Sequence, residues 1–187
     1  MDALVTAFVS AFLAEWGDKT QLLVALLAAR SGRPGHVLAG LLLAAIASST
    51  VAAFAGALIG PTITIRAMSL MVALALLFAS AAGLFRRAAP SIGSGRTPVF
   101  LAALLLCLAA EMGDRTQFLT FALAGRFDSP ALAAAGAAAA IVAAALPAAW
   151  LGEKLTSVVP LRAIRIGSAA LFIVAGFVVA VHALRLA

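Results

Sequence analysis

The sequence predicts an all-α integral membrane protein, with six transmembrane helices arranged as two inverted three-helix repeats. Three observations carry this. The 187 residues are 65% hydrophobic and 11% charged, whereas soluble domains are about 45–50% apolar and about 25% charged. The apolar residues fall into six runs, and a span takes about 20 of them. A charged stretch in the first run, AEWGDKTQ at 14–21, returns in the fourth as AEMGDRTQ at 110–117.

In chain order the spans are expected near 4–29, 36–59, 65–85, 98–125, 131–152 and 163–184. Between them lie RSGRPG, GPT, RRAAPSIGSGRTP, RFDSP and EKLTSVVP, rich in turn formers. The third gap is the longest, so one membrane domain over 1–187 divides into repeat one (1–88), a linker (89–97) and repeat two (98–187). Residues 14–40 and 110–136, 96 positions apart, agree at thirteen of 27 positions without a gap. A bias toward Ala and Leu explains some matches, but not E-x-G-D-[KR]-T-Q returning whole. This is an internal repeat. Three spans is an odd number, so the second half enters the membrane in the opposite sense. Inverted repeats characterise many secondary transporters, whose sites lie near the midplane where the repeats meet.

Net charge is +6, but the basic residues are scattered between apolar runs rather than gathered into a nucleic-acid face. They read as topology signals. Gaps one, three and five, with the start of span six, hold Arg30, Arg33, Arg86, Arg87, Arg96, Lys154, Arg162 and Arg165. The other side holds Arg66, Arg126 and Arg185. By the positive-inside rule both termini are expected outside the cytoplasm. MDALVTAF lacks the basic start of a cleaved signal peptide. A lone Cys107 excludes an internal disulfide and a cysteine-rich metal site.

Glu15, Asp18, Glu111 and Asp114 lie at the midpoints of apolar runs. Burying such groups costs at least about 2.5–3.5 kcal/mol each, on the order of 10 kcal/mol for four. A purely structural role does not account for that cost. Each pair is spaced i, i+3 and shares a helix face, so crossed helices would bring all four into one cavity. Four carboxylates with Lys19 and Arg115 leave −2, which one divalent cation or two protons would neutralise. In a continuous helix, though, Lys19 and Arg115 stand about 100° from the neighbouring Asp.

The donors are oxygens: the acids, the Gln21 and Gln117 amides and the Thr20 and Thr116 hydroxyls. Such sites suit Mg²⁺, Ca²⁺ or Mn²⁺. Cys107 is one turn before Glu111 but aligns with Ala11, and reads as a small packing residue. Gly17 and Gly113 have two readings: close helix packing, or a loosened helix that frees backbone carbonyls. Thr20 joins the acids only in the second; in the first its hydroxyl bonds back one turn.

Ser48, Ser49 and Thr50 read as interhelical packing before ion-path lining, and Gly56-x-x-x-Gly60 as packing. Pro147 is expected to kink span five. His36 and His182 read as interfacial; Trp16 and Met112 as fillers beside the acids; Asp128, Glu153 and Lys154 as solvated loop charges.

Twin E-x-G-D-[KR]-[ST] motifs in a three-plus-three membrane protein resemble the GDT family of cation/proton exchangers. Glu15-Trp16-Gly17-Asp18-Lys19-Thr20 and Glu111-Met112-Gly113-Asp114-Arg115-Thr116 both match in full. The resemblance implies that Glu15, Asp18, Glu111 and Asp114 bind the metal, supported by Thr20, Gln21, Thr116 and Gln117. It also implies a bacterial inner-membrane exporter of Mn²⁺ or Ca²⁺ in exchange for protons, with no prosthetic group and no enzyme activity. Two other classes stand behind it: an acidic-ring divalent-cation channel, and a membrane-embedded metalloenzyme, for which a clear nucleophile or His ligand is lacking.

Overall fold

The computed structural model describes residues 1–85 and 97–184. The linker, apart from Thr97, therefore lies outside the described residues, as do Arg86, Arg87, Arg96 and Arg185. The described elements are all helical: α1 Asp2–Glu15, α2 Lys19–Ser31, α3 Pro34–Ile59, α4 Ile65–Leu84, α5 Val99–Glu111, α6 Arg115–Phe127, α7 Pro130–Leu151, α8 Leu155–Val158 and α9 Leu161–Leu184. Short 3-10 turns, Gly60–Thr62 and Gly152–Lys154, extend α3 and α7.

Among the described residues four helical stretches are long and apolar enough to cross a membrane: Pro34–Thr62, Ile65–Leu84, Pro130–Val158 and Leu161–Leu184. They coincide with expected spans two, three, five and six. The expected continuous helices at 4–29 and 98–125 are corrected. Each is a pair of half-helices, α1 with α2 and α5 with α6, parted at 16–18 and at 112–114. Half-helices of 13 or 14 residues reach about 20 Å, short of a hydrocarbon layer of about 30 Å.

Repeat-related residues do the same local work in both halves. Pro34 and Pro130 open α3 and α7 at the first helical position, where their missing N–H costs nothing. Gly32 and Asp128 close α2 and α6 in left-handed conformation, donating to the Ala28 and Ala124 carbonyls. Packing follows the same pairing: α1 lies on α7 as α5 on α3, α2 on α7 as α6 on α3, and α2 on α5 as α6 on α1. Helix α3 meets α7, and α4 meets α9.

Small residues allow these approaches. Gly40 of α3 faces Phe100 and Ala103 of α5, and Gly136 of α7 faces Leu4 and Phe8 of α1. Gly56 lies against the Phe121 backbone of α6 and Gly60 against Gly125, so Gly56-x-x-x-Gly60 is a packing surface. Symmetry breaks at the outer pair: α4 seats on α6, whereas α9 has no such seat on α2 and touches α1 instead.

Candidate metal centre

The two breaks have one geometry. Trp16 (φ −67°, ψ 123°) is extended, Gly17 is left-handed at φ 70°, and Asp18 (φ −85°, ψ 168°) is the N-cap of α2. Met112 (φ −62°, ψ 121°), Gly113 (φ 71°) and Asp114 (φ −81°, ψ 164°) repeat it before α6. A side chain at φ near +70° is strained, which is why both positions are glycine. Asp18 N–H closes the turn on the Glu15 carbonyl at 3.2 Å, and Asp114 N–H on that of Glu111 at 3.1 Å. Of the two readings of these glycines, the loosened helix is the one seen, carried through to a break.

Gln21 and Gln117 lock the turns. Their Oε1 atoms accept from the Gly17 and Gly113 N–H groups, both at 2.9 Å. Their Nε2 atoms donate to the opposite half: Gln21 to the Ala144 carbonyl on α7 at 2.7 Å, Gln117 to the Ser48 carbonyl on α3 at 3.4 Å. These amides hold the break. Sequence reading ranked them as metal support and missed this role. Asp-x-x-Gln, an N-cap followed by a back-reaching N3 side chain, resembles a capping box. Found in the middle of an apolar run, it announces a new helix start.

With the helices broken, each motif clasps the other. Thr116 Oγ1 donates to Glu15 Oε1 at 2.5 Å, and Thr20 Oγ1 to Glu111 Oε1 at 2.6 Å. Arg115 Nη2 pairs with Asp18 Oδ1 at 3.2 Å and Lys19 Nζ with Asp114 Oδ1 at 3.0 Å. Arg115 also donates to the Ala14 carbonyl, at the negative end of α1. The threonines thus do join the acids. The two cations, awkwardly placed on a continuous helix, open their half-helices and reach across to the other repeat's aspartate.

All four acids are buried, as are Thr20, Thr116, Gln21 and Arg115. Glu15 lies within electrostatic reach of Glu111, Asp18 and Asp114. Glu111 Oε2 and Asp114 Oδ2 are buried with no hydrogen-bond partner among the described residues. Yet among those residues no three His, Cys, Asp or Glu side chains form a ready metal cluster. The carboxylates are turned instead to hydroxyls and cations. Cys107 is buried in the α5 core. Ser48, whose hydroxyl bonds back to the Ala45 carbonyl, offers the motif its backbone oxygen.

The two faces of the clasp differ. Beside Gly17, the Leu161 carbonyl would lie 3.4 Å and Arg165 Cβ 3.8 Å from an added Cβ, whereas nothing lies within 4 Å at Gly113. Arg115 is 2% exposed and Lys19 29%, and Met112 is 58% exposed. The Asp18–Arg115 face is closed by the start of α9. The Asp114–Lys19 face is open.

A family profile described as "Divalent cation/proton antiporter GDT1" matches residues 3–91 and 99–186. A protein of Vibrio cholerae serotype O1 described as "Putative manganese exporter" is 30% identical over 178 residues, 92% of this chain and 88% of that one. No solved structure matches the chain.

Proposed function

The chain belongs to the GDT1 family of divalent cation/proton antiporters, and we propose that it exports Mn²⁺, with Ca²⁺ as the competing cargo, in exchange for protons. The reciprocal clasp of Glu15, Asp18, Glu111 and Asp114 by Thr116, Arg115, Thr20 and Lys19 carries this reading. In it, α1–α2 and α5–α6 are each one span broken at the midplane, roughly 40 Å from end to end at 1.5 Å per residue. With α3, α4, α7 and α9 they make six passes in two inverted repeats. The shared helix pairing of the halves supports that arrangement. Both termini then lie in the periplasm of a bacterial inner membrane.

A cation entering by the open face would meet Asp114 Oδ2 and Glu111 Oε2 and take Lys19's place on Asp114. The closing ends of α1 and α5 add backbone carbonyls beside it, and broken helices serve cation sites in this way. The carboxylates and two cations sum to −2, so one M²⁺ or two protons balance the site. Hydroxyl hydrogen bonds from Thr20 and Thr116 hold the glutamates in place through the exchange. One closed face supports alternating access over a through-pore.

Flux into proteoliposomes tests this, using Mn²⁺, Ca²⁺ and Mg²⁺ under an imposed pH gradient. An antiporter accumulates its ion against a concentration gradient when protons run the other way. Flux that only dissipates the metal gradient, with no response to the pH gradient, would refute exchange and favour the channel.

A further inference from the structure

A crevice of about 820 Å³ runs between α1 and α6 on one side and α4 and α9 on the other. Leu13, Val72, Leu76, Leu123 and Phe172 make its inner part hydrocarbon. Its polar groups gather where α1 and α4 begin and α6 and α9 end: Arg126 and His182, with Thr6 and Ser69. Arg126 Nε donates to Ser69 Oγ at 3.0 Å, which anchors the guanidinium at this end of the crevice. Val5, Val9, Leu171 and Val178 on the rim are exposed, so in a bilayer the crevice opens sideways to lipid.

We infer that this crevice binds one anionic phospholipid, its acyl chain along the apolar walls and its phosphate against Arg126 and His182. The charge pattern selects that occupant. A hydrated metal ion has nothing to gain from aliphatic walls behind an arginine. A zwitterionic lipid brings its own cation to the same arginine. An anionic headgroup gains about 1 kcal/mol from a basic residue near the membrane surface, and the guanidinium fork matches phosphate oxygens. The inference needs only that the chain sits in a bilayer. It stands or falls apart from the transport reading.

The test uses the whole chain purified in detergent and titrated with dioleoylphosphatidylglycerol. Native mass spectrometry counts the retained lipid and thermal unfolding reads the stabilisation. One lipid should bind saturably, and dioleoylphosphatidylcholine should bind at least about fivefold more weakly. Arg126→Ala should lose about the same factor and Arg126→Lys should recover part of it. Both substitutions are at an exposed position, so folding is preserved. Val72→Phe, which fills the crevice, should reduce retention of either lipid. Equal binding of the two lipids, or no change in Arg126→Ala, would overturn the proposal. Competition by millimolar inorganic phosphate alone would assign a free-anion site instead, and competition by oleate alone a fatty-acid groove.

Discussion

Replacing Arg115 with alanine is expected to cost far more stability than replacing Lys19, its equivalent 96 positions earlier. Both are the first residue of a half-helix, and both pair with the other repeat's aspartate. Their surroundings differ. Arg115 is 2% exposed, bonds the Ala14 carbonyl as well as Asp18, and extends Nη1 to 3.4 Å from where a Cβ on Gly83 of α4 would be. Removing one partner of a buried pair costs about 3–5 kcal/mol. Lys19 is 29% exposed but its partner Asp114 only 4%, so the loss there lies above the roughly 0.2–1 kcal/mol of an exposed pair and below that of a pair buried on both sides.

The difference is therefore on the order of 1–2 kcal/mol, roughly five- to thirtyfold in the folding equilibrium. The assay is reversible unfolding of the purified protein in mixed micelles, with the added denaturing detergent as the coordinate. Arg115→Lys is informative beside it. Lysine keeps the charge but lacks the planar fork that serves Asp18 and Ala14 together, so it should recover only part of the loss. Equal losses for Arg115→Ala and Lys19→Ala would refute the one-sided burial from which these magnitudes are drawn.

Neutralising either glutamate should halt metal flux in proteoliposomes: Glu15→Gln and Glu111→Gln should both insert normally and be comparably inactive, and near-normal efflux in either would rule out a shared site. In the proposed exchange protons and metal would compete for the same carboxylate oxygens, so apparent metal affinity should fall as pH falls; binding unchanged over about three pH units, with no proton movement, would defeat exchange. Gly113→Ala should destabilise the protein by about 1–2 kcal/mol through left-handed strain alone, since a Cβ there meets no neighbour; a neutral result in a thermal scan would speak against the break. Cysteines introduced into 89–96 should resist an impermeant reagent added from outside the cell, and labelling from outside would invert the proposed orientation.

Much of the candidate site was legible because burying charge is expensive. Four acids in apolar runs cannot be incidental, and the repeat identified their counterparts. The helix break was harder to read. Apolar composition favours a continuous span, and helical spacing then turns Thr20 and Lys19 away from the acids. Both objections vanish once Asp18 is recognised as an N-cap and Gln21 as its back-reaching partner. Every residue of that signal is present in the sequence, but a capping pattern is rarely sought in the middle of a hydrophobic run. The ends of the four unbroken apolar helices fall within about six residues of the expected spans two, three, five and six, since Pro34, Pro130 and the turn formers mark them chemically.

The asymmetry of the site is illegible in the motifs, which differ only at Trp16/Met112 and Lys19/Arg115. It arises outside them. The start of α9, at Leu161 and Arg165, lies over Gly17, while the residues 96 positions earlier, Ile65 and Ser69 on α4, leave Gly113 uncovered. Ser69 instead accepts from Arg126, and α4 is seated on α6. Two nearly identical half-sites thus sit in unlike surroundings, set by which partner α4 and α9 choose. Exchanging those seats would close the Asp114 face and open the Asp18 face without altering the clasp. In the proposed exchange, two such half-sites with covers that trade places would provide the two arrangements that alternating access needs. Because α4 and α9 pack along each other, covering one face and uncovering the other would be coupled in that exchange.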